Sequence, residues 1–150
     1  MTEPIIRTIQ AHELEDLLLL YKDLHKQDDP LERGERLQQQ WARMLANPGM
    51  EIWVMESEGS LAASCTLVIV DNLTRGGRPY ALIENVVTRA DQRRRGYGHA
   101  VLRQVIESAR EQGCYKVMLM TSSKSDEVHQ FYEGAGFTKG VKTGFIVKLD

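Results

Sequence analysis

A weakly alternating apolar run over residues 5–9 predicts a short first strand. Residues 11–26 follow, with Leu14, Leu17, Leu18, Tyr21 and His25 along one side of a predicted helix. Pro30 stops that segment, because the residue before a proline is pushed out of helical geometry. A second helix is predicted over 31–46, carrying Leu37, Trp41, Met44 and Leu45 and ending at Asn47-Pro48-Gly49. Three strand-like runs come next, at 51–56, 61–70 and 80–88, separated by a turn at Gly59 and a loop containing Gly76-Gly77. They read as an antiparallel meander.

Beyond residue 88 the period changes. Val101, Leu102, Val105, Ile106 and Ala109 share one face of a helix predicted over 98–112, which Gly113 terminates. Residues 116–121 form a short apolar run, expected as a buried central strand. A helix over 126–133 turns Val128, Phe131 and Tyr132 inward, and residues 143–148 close the chain as a last strand. Strand, helix and strand over 80–121 make a βαβ unit, whose crossover is right-handed and whose strands are parallel. The pattern predicts one α/β (α+β mixed) domain over 1–150, with a mostly antiparallel sheet and helices on both faces.

Composition narrows the function classes. The 150 residues carry 42% hydrophobic and 27% charged side chains, as in ordinary globular proteins, and are enough for one core. The formal net charge of −2 supplies no global field for nucleic acid, so a local arginine cluster points to a small anion. Met1-Thr2-Glu3-Pro4 has no basic stretch ahead of an apolar one, and Leu17 to Leu20 is too short to span a bilayer. The expectation is a cytoplasmic protein with no membrane partner. Cys65 and Cys114 are expected as free thiols, and His12, His25, His99 and His129 show no metal-ligand spacing, so no metal is expected.

The most informative stretch is Arg93-Arg94-Arg95-Gly96-Tyr97-Gly98-His99, placed between a strand and a helix. A helix start offers backbone N–H groups without internal partners and partial positive charge. Gly96 and Gly98 lack a Cβ, which lets a ligand approach those amides, and the arginines add forked donors for phosphate oxygens. The run reads as a pyrophosphate cradle. It is not a Walker A loop, which needs Gly-Lys-Ser/Thr, nor the dinucleotide fingerprint, since Val101 stands where a third glycine belongs.

Together with Phe131-Tyr132-Glu133-Gly134-Ala135-Gly136-Phe137 downstream, this run resembles the GNAT superfamily of acyl-CoA-dependent N-acetyltransferases. The resemblance implies the GNAT fold, with about six to seven strands, and acetyl-CoA as co-substrate. It implies that backbone groups of Val86, Val87 and Thr88 pair with the pantetheine arm, and that residues 93–99 hold the pyrophosphate. Ser125 stands where many members carry a cofactor-touching asparagine. A homodimer is a common assembly in the family, and the sequence leaves the oligomeric state of this chain open.

The chemistry follows from acid strengths. A thiol has a pKa of about 8.5 and a tyrosine hydroxyl about 10, so a tyrosine keeps its proton at neutral pH and can give it to a departing thiolate. The resemblance assigns that role to Tyr132. Glu84 interrupts an apolar strand, where an unpaired carboxylate is costly. It reads either as a strand-edge or bulge residue facing solvent, or as the carboxylate that draws in an amine and takes its proton. Residues 81–85 and 113–119 look like glucosamine-6-phosphate N-acetyltransferases, but Asn85 and Met120 stand where those enzymes carry acidic residues. Asp28, Asp29 and residues 75–78 are the polar candidates for an acceptor pocket. The expected activity is acetyl transfer to a primary amine of a small molecule. The alternative is an acyl-CoA-binding sensor without turnover.

Overall fold

The computed structural model describes residues 3–150; Met1 and Thr2, the start of the N-terminal stretch considered above, lie outside the described residues. In chain order the elements are β1 (Ile5–Thr8), α1 (Leu14–Tyr21), α2 (Glu35–Ala46), β2 (Met50–Ser57), β3 (Ser60–Val70), β4 (Tyr80–Thr88), α3 (Tyr97–Glu111), β5 (Val117–Leu119) and α4 (Asp126–Gly134). The strands form one sheet in the order β1-β2-β3-β4-β5, antiparallel except for the β4–β5 pair. The mixed α/β class and the meander are as expected.

Strand alternation sends side chains to two cores, one on each face of the sheet. On one face Val101, Leu102, Val105 and Ala109 of α3 pack on Cys65, Leu67, Ala81 and Ile83. On the other, Leu14, Leu17 and Leu20 of α1 and Leu37 and Trp41 of α2 cover Ile52, Val54, Leu61 and Val87. Polar contacts tie the layers down. Trp41 Nε1 donates to Ala11 O at 2.9 Å, and Glu51 accepts from Trp53 Nε1, Ser108 Oγ and Gln112 Nε2 at 2.7–2.8 Å. Arg7 donates to both oxygens of Glu13, at 2.7 and 2.8 Å, and reaches Glu56 at 3.3 Å. That contact holds the buried Glu13 carboxyl below its usual range.

Four expectations are corrected. The first helix is shorter than 11–26: residues 11–13 form a 3-10 turn and α1 ends at Tyr21, where the chain turns to place Asp23 against Ala90. The second starts at Glu35, after Gly34 at φ +143°, a backbone geometry that helices do not continue through. β5 is an edge strand, half-buried, where a buried central strand was expected. Its outer side is unpaired because residues 143–148, expected to be the last strand, pair with no strand among the described residues and lie exposed. The sheet therefore has five strands where six to seven were expected.

Candidate functional site

β4 and β5 run side by side only over Ala81–Ile83 and Val117–Leu119. Past Ile83, β4 continues to Thr88 with no strand on that side, so its backbone groups face a gap. The gap coincides with a defect in β4. Ser64 faces Val87 and Thr66 faces Glu84, so Asn85 and Val86 together oppose Cys65. This is a β-bulge, with Asn85 at φ +53°, a left-handed conformation that asparagine tolerates better than most residues. The extra residue inverts the alternation. Val86 joins Ile83 against the α3 core, and Val87 enters the α1–α2 core.

The bulge leaves Glu84 exposed and free of ion pairs among the described residues. Tyr132 of α4 lies half-buried across from it, edge-on to Phe131 at 5.1 Å and to Phe137 at 6.3 Å. Burial raises the Tyr132 hydroxyl pKa, with smaller contributions from nearby Cys65 and Glu84. Tyr132 thus stays a proton donor at neutral pH. Cys65, fully buried opposite the bulge, is pushed up to about 12 by desolvation and is no nucleophile. The two cysteines are free thiols, as expected. Behind the bulge Tyr21 has Thr66 and Asn85 as hydrogen-bonding neighbours, and burial is the larger effect, raising its pKa. Nothing in the sequence marks Tyr21 apart from the apolar stripe of its helix.

The turn after β4 places the arginines differently from one another. Arg93 folds back, donating to Thr88 O at 3.3 Å and to Asp23 O at 3.4 Å. Asp23 also accepts from Ala90 N at 2.9 Å, so the end of α1 and the turn are stapled together. Asp23 was not legible as part of this site. Arg94 is at φ +67° and highly exposed, 3.7 Å from Glu127 of α4. Arg95 neighbours the Tyr97 hydroxyl, whose pKa is lowered first by a hydrogen bond to Ser57 and then by Arg95. Gln92 is buried, and its Oε1 has no partner among the described residues.

The two glycines serve different purposes. Gly96 caps α3 at φ +80° with open space around it, as a cradle requires. Gly98 does not hold space for a ligand. A Cβ there would sit 2.8 Å from Phe131 Cζ and 3.2 Å from Thr88 Oγ1, so its missing side chain admits Phe131. The side chain of His99 is likewise turned away from the turn. Its Nε2–H donates to Phe131 O at 2.7 Å and the ring stacks on Phe131 at 4.6 Å. His99 thereby clamps α4 to α3. The first internal bond of α3 is Ala100 N to Gly96 O at 3.0 Å, which leaves the amides of Tyr97, Gly98 and His99 without helical acceptors.

Ser125 caps α4 without a side-chain bond, and its hydroxyl is exposed. The acceptor candidates separate. Asp28 and Asp29 are exposed in the connection before α2, while Arg75 and Arg78 lie over the Tyr115 ring, beside Tyr80. That end of β4 is roughly 26 Å from Thr88, at about 3.3 Å per residue. Residues 75–78 therefore flank the far end of the strand and not the cradle turn.

Comparison with known proteins gives concordant matches. The model of the Acetyltransferase (GNAT) family matches residues 12–137. The chain is 38% identical to a Trypanosoma brucei brucei protein named glucosamine 6-phosphate N-acetyltransferase, over 87 residues covering 58% of this chain and 57% of that one. It spans about half the length of the curated relatives it matches. Among solved structures, "Putative acetyltransferase from Agrobacterium tumefaciens str. C58" superposes with a TM-score of 0.91 at 46% identity, over 97% of this chain and 99% of that one. A Trypanosoma brucei acetyltransferase superposes with a TM-score of 0.80 at 29% identity, over 99% of each.

Proposed function

The chain belongs to the acetyltransferase (GNAT) family, and on that premise we propose that it is an N-acetyltransferase moving an acetyl group from acetyl-CoA directly to a primary amine of a small molecule. The observation that carries the reading is the bulge that exposes Glu84 where β4 parts from β5, with Tyr132 near enough to feel its charge. The residues present fit the co-substrate. The open edge of β4 from Glu84 to Thr88 offers a strand-like seat for the amide-bearing pantetheine arm. The amides of Tyr97, Gly98 and His99, with Gly96 open beside them and Arg94 and Arg95 exposed nearby, suit a pyrophosphate. Arg93 and the His99 ring support the cradle by holding its turn and its helix in place.

Acetyl-CoA supplies an activated acyl group on a thiol leaving group. Glu84 attracts the acceptor as an ammonium ion and removes one proton, directly or through water, leaving a nucleophilic lone pair. The nitrogen forms a bond to the carbonyl carbon and gives up its second surplus proton to solvent, and the carbon–sulfur bond breaks. Tyr132 gives its proton to the departing sulfur and is reprotonated from solvent, so the products are an amide and a free thiol. Cys65 takes no part, because burial keeps it protonated. We place the protein in the cytoplasm, in keeping with its two free thiols; among the described residues no helix is long and apolar enough to cross a membrane.

The trypanosomal relative is named for an amino-sugar phosphate. Here Asn85 is the bulge residue and Met120 is exposed, so neither position offers a carboxylate to an amino sugar. The acceptor is therefore proposed only as a primary amine. The test is CoA release from acetyl-CoA across a panel of amino sugars, polyamines, aminoglycosides and amino acids. Turnover on one acceptor that falls at least about 100-fold in both Tyr132→Phe and Glu84→Gln supports the assignment. Full turnover in both variants refutes the roles, and acetyl-CoA binding with no turnover on any amine leaves the sensor reading.

A further inference from the structure

Arg75 and Arg78 belong to a cationic cluster that the transfer chemistry leaves unused. The loop that carries them is held in an unusual shape. Arg75, Gly76 and Gly77 follow one another at φ +55°, +73° and +76°, a run that is strained at the arginine. Asn72 Nδ2 fixes the loop by donating to Thr74 O and Arg78 O at 3.2 Å, and Arg78 Nε donates to Arg75 O, also at 3.2 Å. Both guanidinium groups are thereby brought to one ring, 5.8 and 5.6 Å from the centre of Tyr115. Lys116 Nζ completes the group, 5.3 Å from that ring and 5.4 Å from Tyr80. Among the described residues none of the three cations has an ion pair, not even with Asp71 at the start of the loop. Like charges gathered without a counter-charge repel one another and favour an anion that settles among them.

The register of the sheet connects this cluster to Glu84. Ala81 and Ile83 of β4, and Val117 and Leu119 of β5, point into the α3 core. By alternation, Tyr80, Leu82 and Glu84 share the opposite face with Lys116 and Met118. On that face Glu84 and Tyr80 are roughly 13 Å apart, at about 3.3 Å per residue. Between them the floor is apolar. Leu82 sits beside Met118 on one side and Val68 on the other. All three are half-buried, and none belongs to the core that α1 and α2 make on this face. The face thus carries a strip with a carboxylate at one end, three cations at the other and apolar side chains between.

We infer that the acceptor is an extended amine with an anionic far end. Its ammonium group meets Glu84, its apolar chain lies on Leu82 and Met118, and a carboxylate or phosphate reaches Arg75, Arg78 and Lys116. The inference rests on the amine reading of Glu84 given above and narrows it to a substrate class. Opposite charges at the two ends fix the direction in which the molecule lies, with its amine toward the gap between β4 and β5. The forked donors of the two arginines suit either anion. A short amine cannot touch both ends.

The test measures CoA release from acetyl-CoA with four amines. They are ω-aminododecanoate, an aminoalkyl phosphate of the same length, the much shorter ω-aminohexanoate, and dodecylamine, which lacks the anion. One or both long anionic amines should exceed the other two in kcat/KM by at least about tenfold, and the better of them identifies the anion. Arg75→Ala with Arg78→Ala should abolish that advantage over dodecylamine, by raising KM. Binding is read separately, without acetyl-CoA, from the labelled methyl group of Met118, which the favoured long amine should shift. If no amine is turned over, the transfer reading fails and the Met118 shift alone decides the inference. Equal kcat/KM for dodecylamine and the long anionic amines, an advantage that survives the double variant, or an unmoved Met118 methyl overturns it. If the double variant fails to fold, the wild-type comparison with dodecylamine decides.

Discussion

Gly98→Ala isolates the contact between α3 and α4. The new methyl would stand 2.8 Å from Phe131 Cζ and 3.0 Å from Cε1, well inside van der Waals contact, and 3.2 Å from Thr88 Oγ1. The ring cannot withdraw freely, because its other neighbours are the stacked His99 and the edge-on Tyr132. Forcing one methylene-sized group into such packing costs about 1–3 kcal/mol. Alanine returns up to about 1 kcal/mol through its better helix propensity, less in the first turn. The expected net is a loss of roughly 1–2 kcal/mol, or about 2–8 °C in melting temperature for a chain of this size. Thermal and urea melts measure it. Phe131→Leu removes the atoms in collision, so the pair of changes should cost at least about 0.5 kcal/mol less than the sum of the singles. A Gly98→Ala protein as stable as wild type, or a strictly additive pair, would refute the argument that this glycine exists to admit Phe131.

Three further outcomes follow from the electrostatics. Burial raises the Tyr132 pKa, and the residue acts while protonated, so kcat should hold until pH climbs above about 10 and fall beyond it; a pH–rate profile checks this, and a fall beginning near pH 8 excludes the assignment. Arg7 holds Glu13 with a depressed pKa, so this pair contributes stability above the unfolded carboxylate range, about 4.3, and loses it as pH drops through the lower folded value. Glu13→Gln should cost about 1–3 kcal/mol at pH 7 and flatten the decline in urea stability between pH 5 and 3. Iodoacetamide at pH 8 should modify Cys114, which is partly exposed, and leave the buried Cys65 unmodified until the protein is denatured; peptide mass mapping distinguishes the two.

Local periodicity made most of this architecture readable. β4 occupies 80–88 as expected, and α3 differs from its predicted span by one residue at each end, because both carry long, regular apolar spacing bounded by glycine or proline. The turn proposed as a cradle was legible as an order of elements, strand, arginine–glycine turn and helix. The division of labour within it was not, because Gly98 and His99 answer to Phe131, thirty-odd residues away, and no local signal encodes that contact. Arg93 likewise spends its donors on Thr88 and Asp23. The bulge left a trace in the polar pair Glu84-Asn85, for which a bulge was one of two readings. β5 was misplaced because a short apolar run looks alike in a central strand and in an edge strand whose outer side is unfilled. Residues 143–148 kept the alternation of a strand while finding no strand partner among the described residues, a matter that periodicity cannot address.

The surplus residue in β4 also separates what the strand packs against from what it leaves unpaired. Because Asn85 shifts the phase of everything after it, Val86 and Val87 each point into the opposite layer from the one that uninterrupted pleating would assign. Excising that single amino acid would set Val86 opposite Cys65 in plain pleating, with Val86 still toward α3 and Val87 still toward α1 and α2. Both cores would keep their contributors; what would go is the break in the strand, leaving the seam between β4 and β5 free to zip on past Ile83.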